Sequence, residues 1–113
     1  MTHPQTAALK TLLERVEAGI DETDYWWIDP ALGALIEPLC MQGQPAFYGS
    51  LDAAKELHEA VLPGWGWGKE ALSGKIYVME IEGNGMEFGE APNPARAWLI
   101  AIIKALIADT EGR

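Results

Sequence analysis

Residues 50–97 read SLDAAKELHEAVLPGWGWGKEALSGKIYVMEIEGNGMEFGEAPNPARA, and this stretch decides the fold. Its first part repeats apolar residues at helical spacing, which predicts a helix from Ser50 to Leu62. Ser50 is a suitable N-cap because its hydroxyl accepts a hydrogen bond from a free amide of the first turn. Pro63 cannot continue the helix, and Gly64 suits the turn that follows.

Three short strands are predicted after this helix. The clearest runs from Lys75 to Glu82 and is apolar on both faces over half its length, which is typical of a central strand covered on both sides. Ser73-Gly74 is a turn signal before it, and Gly83-Asn84-Gly85 predicts a hairpin connection after it. In the third strand, Met86 and Phe88 alternate with Glu87 and Gly89.

The first strand contains two tryptophans separated by one glycine. Trp65 and Trp67 point to the same face of an extended chain, and Gly66 and Gly68 leave the opposite face bare. A ring or another backbone can approach such a surface. One interpretation of this segment is therefore a binding site for a small molecule or a peptide.

A final helix is predicted from Pro94 to about Asp109, with Asn93 as its cap. It is apolar around nearly its whole circumference, broken only by Arg96 and Lys104, so it needs cover on most sides. Either the first helix or a second copy of the chain can provide that cover. The pattern thus leaves open a homodimer in which Trp98 anchors a twofold interface.

The N-terminal half is predicted to be helical. A stripe of leucine, valine and isoleucine predicts a helix from Gln5 to Ala18 that ends at Gly19. A second helix is expected from Pro30 to about Leu39, followed by a loop from Met41 to Gly49. Together these elements predict one α+β domain spanning residues 1–113: a three-stranded antiparallel β-meander packed between helices, as in an α/β/α sandwich.

The composition limits the kinds of partner. The net charge is −9, which argues against direct binding to nucleic acid or to an anionic membrane, because both are driven by positive charge. The last helix offers about half of the ~20 apolar residues that span a bilayer. A single cysteine and an N-terminus without a secretory pattern lead us to expect a cytoplasmic protein.

The sequence contains no recognisable catalytic, cofactor or metal site. His58 lies alone on an apolar helix face, without the second histidine that a zinc pair requires. Cys40 has no histidine nearby in sequence and is interpreted as a structural thiol. Gly64, Gly66 and Gly68 are followed by neither a helix nor a phosphate-loop lysine, so they are not a nucleotide signature. We therefore expect a protein that is not an enzyme.

Five tryptophans are many for a chain of 113 residues. Exposed tryptophans are common anchors of protein interfaces, and adjacent ones point in different directions. The candidate interaction surface therefore comprises Trp26, Trp27, Trp65, Trp67 and Trp98.

Four segments resemble a known family, namely LLERVEA at 12–18, YGSLDAA at 48–54, LPGWGW at 62–67 and EAPNPA at 90–95. In this order they are similar to the phage ABA sandwich domain, found in small phage and prophage proteins. The resemblance implies a sheet between helical layers and a phage or prophage origin, hence a bacterial host cell. It implies no activity and assigns no functional residue. Arg96, Trp98 and the long segment from Asp24 to Gly49 depart from the family pattern.

These observations favour a non-enzymatic protein that binds and modulates an unidentified host or phage protein. The small size, the acidic composition and the surplus of tryptophans motivate this hypothesis.

Overall fold

The computed structural model describes residues 4–19 and 30–111. The first helix, α1, spans Pro4–Ala18 and buries the stripe that contains Leu9, Leu12 and Val16. Gly19 ends it in the left-handed region, at a φ of 71°, where its amide donates to the carbonyl of Val16 over 3.1 Å. The predicted helix is confirmed.

The helical segment that follows is longer than the sequence predicts. Residues 30–47 begin with a 3₁₀ turn at Pro30–Leu35, kinked at Gly33, whose φ is 58° and ψ −123°. The helix α2 then spans residues 36–47. It consists of two α-helical segments, Ile36–Pro38 and Gln44–Phe47, with a π-helical turn at Leu39–Gly43 between them.

The predicted loop from Met41 to Gly49 is therefore wrong, because the chain remains helical to Phe47. Leu39, Ala46 and Phe47 are buried, so tertiary packing overrides the weak local preference of a Gly- and Pro-containing stretch. Arg96 adds to this packing. Its Nε donates to the carbonyl of Phe47 over 3.2 Å, and its guanidinium lies 4.1 Å from the centre of the Phe47 ring.

The helix α3 spans Leu51–Val61. The hydroxyl of Ser50 accepts a hydrogen bond from the amide of Ala53 over 3.1 Å, which confirms the predicted cap.

Three strands follow α3 and form one antiparallel sheet in the order β1-β2-β3. These strands are β1 at Trp65–Lys69, β2 at Ile76–Glu80 and β3 at Met86–Gly89. The α+β class and the three-stranded antiparallel meander with helices packed on it are confirmed.

The helix α4 spans Pro94–Thr110 and lies at the centre of the molecule. Asn93 Oδ1 accepts from the Arg96 amide over 2.7 Å, as the sequence predicts. The helix packs on β2 and β3 on one side and on α1 and α3 on others. All eleven of its apolar residues from Ala95 to Ile107 are buried, so the cover that the last helix needs comes from within the chain.

The expectation that both faces of the central strand are covered is wrong. Ile76 and Val78 are buried against α4, but Met79, on the opposite face, is 39% exposed. Tyr77 lies on that same opposite face and is only half-buried. The strand is therefore central in the sheet but buried on one face only.

Candidate functional site

Three of the five tryptophans that the sequence singles out are placed by the structure. Trp98 is buried in α4, Trp65 is partly buried against the core, and Trp67 remains 49% exposed. The rings of Trp67 and Trp98 stack with centroids 4.2 Å apart and an interplanar angle of 33°. Trp26 and Trp27 lie outside the described residues.

His58 joins this aromatic cluster to the sheet. Its side chain is buried, and Trp98 Nε1–H donates to His58 Nδ1 over 3.2 Å. Since Nδ1 accepts, the ring proton is on Nε2, which donates to the carbonyl of Trp65 over 2.8 Å. Both ring nitrogens therefore have partners, and His58 is a core residue that ties α3, α4 and β1 together.

The cluster is thus mainly structural. Trp65 and Trp67 lie on the face of the sheet that packs against α4, which we call the inner face, and Trp98 of α4 stacks on Trp67 there. Only Trp67 offers a large exposed area there. Whether any tryptophan contacts a partner stays a prediction.

The opposite face of the sheet, which we call the outer face, is more unusual. The strand register arranges it in rows: Gly68, Tyr77 and Phe88 lie side by side, and Gly66, Met79 and Met86 form the next row. Ile81 follows beyond the end of β2. The outer face consists of Gly66, Gly68, Tyr77, Met79, Ile81, Met86 and Phe88.

The outer face is apolar and open to solvent. Ile81 is 68% exposed, Met86 44% and Phe88 36%, and none of the seven residues carries a charge. The rings of Tyr77 and Phe88 lie 6.0 Å apart, which makes an aromatic pair at one end of the face. Contiguous exposed apolar surface on a protein commonly marks an interaction site.

The space beside the two glycines of β1 is filled by neighbouring side chains. A Cβ on Gly68 would collide with the ring of Tyr77, which leans over it, and a Cβ on Gly66 would meet Met79 at 3.7 Å. The predicted bare surface is therefore filled by side chains of β2. As a result, the outer face is a continuous low apolar surface across all three strands.

Charged residues border the outer face at the end near Tyr77. Glu70, Lys75 and Glu90 form the next row past Tyr77, with Lys75 Nζ 4.0 Å from Glu90 Oε2. Lys104 of α4 lines a depression together with Lys75, Phe88 and Glu90, so the charges at this end are of both signs.

The surface also has depressions. One of about 280 Å³ lies beside Trp65, and another of about 480 Å³ is lined by Asn84, Met86 and Glu87. The first lies just below and the second within the volume that small-molecule pockets occupy, roughly 300–1,000 Å³. Among residues 4–19 and 30–111, no three histidine, cysteine, aspartate or glutamate side chains gather in a way that would hold a metal ion.

Sequence reasoning identified the Gly66 and Gly68 side of β1 as a candidate binding surface but missed the residues of β2 and β3 that continue it. Their alternation along β2 and β3 was visible, but the face was taken to be covered. A usable signal was present: β-branched Ile76 and Val78 lie on the inner face, whereas Met79 and Met86 lie on the outer one. Methionine is common on surfaces that adapt to binding partners.

Comparisons with models of protein families, with curated proteins and with solved structures found no match to this chain. The resemblance to the phage ABA sandwich domain therefore stays a prediction. In the described part of the chain, no helix has both the length and the apolar character needed to cross a membrane.

Proposed function

We propose that this chain is a non-enzymatic protein-binding module of phage or prophage type, and that it modulates a host or phage protein through the outer face of its sheet. The observation that carries the proposal is an uncharged apolar surface, two rows of side chains deep and three strands wide, on a protein of net charge −9. Charged residues are depleted at the centres of protein interfaces, whereas aromatic residues and methionine are enriched there.

The burial pattern supports the outer face as the site rather than the tryptophan cluster. Trp98 and His58 are buried and hold each other in place, so they have little surface to present. In contrast, Met79, Met86 and Phe88 keep more than a third of their surface exposed although they lie in regular strands. The acidic charge of the whole chain disfavours nucleic acid as a direct partner.

The test is affinity capture from a bacterial lysate with the tagged full chain and two variants. Met79→Ser/Phe88→Ser removes apolar surface from the outer face without changing charge. Leu51→Ser is the matched control, because Leu51 is 50% exposed at the start of α3, on another part of the molecule. Proteins captured by the parent and the control but lost from the double variant support the proposal. Identical capture by all three chains would show that the outer face is not the site.

A further inference from the structure

We infer that the partner protein supplies an extended peptide segment, which adds as a further strand to the edge of β3 that faces away from β2. We call this edge the free edge. The inference rests on the proposed function and names the form in which a partner binds beside the outer face. It is carried by the unpaired backbone groups of β3 and by the surface between this strand and α4.

The hydrogen-bond pattern fixes which backbone groups of β3 face outward. The amide of Glu80 donates to the carbonyl of Gly85 over 2.9 Å, so these residues form a hydrogen-bonded pair of the antiparallel ladder. Such pairs alternate with pairs that exchange no hydrogen bonds, and Met86 and Phe88 occupy the latter positions. The amide and carbonyl groups of Met86 and Phe88 therefore point away from β2, toward the free edge.

The free edge of β3 is open. β3 ends the sheet, no other strand in the described part of the chain pairs with it, and Met86 and Phe88 are 44% and 36% exposed. At the opposite edge, the amide of Trp65 already donates to Leu62 over 3.1 Å and its carbonyl accepts from His58. A row of outward donors and acceptors is complemented by an extended backbone, which repeats the same groups at the same spacing.

Two depressions adjoin β3 where it packs beside α4. One of about 480 Å³ is lined by Met86 and Ala108, among others, and one of about 330 Å³ by Phe88 and Lys104. Lys104 and Ala108 lie one turn apart on α4 and are only half-buried, whereas residues 97–103 are buried. Side chains of an added strand alternate between its two faces. One set therefore turns toward these depressions, and the other continues the outer face beside Met86 and Phe88.

A second copy of this chain fits the free edge less well than a segment of another protein. Antiparallel pairing of two β3 strands that sets Met86 of one copy against Phe88 of the other puts the two Glu87 side chains directly opposite each other. Like charges opposite each other across two strands are destabilising, and each copy carries a net charge of −9. We therefore assign the free edge to a peptide segment of a different protein.

The probe is a peptide selected on the full chain from a displayed library of random eight-residue sequences, then synthesised with capped ends and a fluorescent label. Met86→Pro removes an outward amide and no ladder hydrogen bond to β2, and proline is tolerated as the first residue of an edge strand. Met86→Ala is the matched control, because it removes the same side chain and keeps the amide. By fluorescence anisotropy, we expect Met86→Pro to bind the peptide about tenfold or more weakly than Met86→Ala does.

A second measurement uses the unaltered chain, so it does not depend on how well the variants fold. Each amide of the selected peptide is methylated in turn, which removes one backbone donor at a time. We expect binding to weaken about tenfold or more at every second residue and by less than about threefold at the residues between, because alternate amides of a strand face the same side.

Three results would overturn the inference: no peptide selected, equal binding to Met86→Pro and Met86→Ala, or methylation effects without this alternation. A chain of doubled mass that returns to a single mass in Met86→Pro would assign the free edge to a second copy instead, and would likewise overturn it.

Failure of this inference is distinguishable from failure of the proposed function. If lysate capture depends on Met79 and Phe88 but no peptide pairs with β3, the outer face binds its partner without strand addition, and only this inference is wrong. If a peptide pairs with β3 but capture ignores these residues, the proposed role of the outer face is wrong and the peptide site stands. If both measurements fail, both proposals are wrong.

Discussion

Gly89, in β3, lies against the backbone of α4 more closely than any side chain permits. A Cβ added there would collide with the carbonyl oxygen of Ala97 and lie 2.8 Å from the amide nitrogen of Ala101. The obstacle is helix backbone, which cannot swing aside as a flexible side chain does. Gly89 therefore sets the distance between the sheet and its helix.

Gly89→Ala is expected to lower the free energy of unfolding by at least about 3 kcal/mol, because sheet and helix must separate. Gly66→Ala is the matched control: its Cβ meets Met79 at an ordinary 3.7 Å, and we expect unchanged or slightly raised stability. Urea unfolding of both variants measures the difference. Equal free energies of unfolding for Gly89→Ala and Gly66→Ala would contradict the close packing of β3 against α4.

His58 is the second residue on which the packing depends. His58→Ala leaves the indole N–H of Trp98 without its acceptor, removes the donor to the Trp65 carbonyl, and opens a cavity between α3 and β1. We expect a loss of about 2–4 kcal/mol in the free energy of unfolding. Glu59→Ala, at the exposed neighbouring position, should change it by less than about 0.5 kcal/mol. A loss below about 1 kcal/mol for His58→Ala would contradict the described hydrogen bonds.

At the scale of the elements, β2 separates the two faces of the sheet. Ile76 and Tyr77 are neighbours in sequence, but Ile76 is buried against α4 whereas Tyr77 lies on the outer face. A charge at the first position is buried against α4, and its cross-strand neighbour on the same face, Lys69, is itself exposed to solvent. A charge at the second position reaches solvent.

Ile76→Asp is accordingly expected to reduce the free energy of unfolding by about 3–5 kcal/mol, and Tyr77→Asp by about 1 kcal/mol or less. Thermal and urea unfolding monitored by circular dichroism test the pair. Similar losses in both variants would show that the outer face is covered in the free chain, against the burial described above.

Local signals in the sequence predict most element boundaries. Ser50 and Asn93 predict the starts of α3 and α4 because a side-chain cap acts within one helical turn. The strand pattern likewise predicts the antiparallel meander. Residues 41–47 were missed because their helical state depends on distant contacts, among them the hydrogen bond from Arg96 to Phe47, which spans 49 residues of sequence.

The candidate site was harder to predict than the fold. Alternation along a strand shows which residues share a face, but it does not show whether another layer covers that face. The alternation of β2 puts Tyr77, Met79 and Ile81 on one face, but the sequence pattern predicted that both faces of this strand are covered. Trp98 was considered an interface anchor, whereas its hydrogen bond to His58, 40 residues away, places it in the core.

In the molecule as a whole, the two faces of one small sheet have different roles. The inner face and α4 form the core, with α1 and α3 packed on the other sides of that helix. The outer face contributes little to that core and remains apolar, at a cost in solubility that a binding role would explain.

Methionine oxidation measures whether the outer face is open in the free chain. The full chain is treated with dilute hydrogen peroxide, and oxidation at Met41, Met79 and Met86 is followed over time by mass spectrometry of its peptides. Met41 is 64% exposed on α2 and provides the reference rate within the same molecule. We predict that Met79 and Met86 oxidise at rates within about threefold of Met41, since reactivity follows exposure. Oxidation of Met79 and Met86 more than about tenfold slower than that of Met41 would contradict the account, because the outer face would then already be covered.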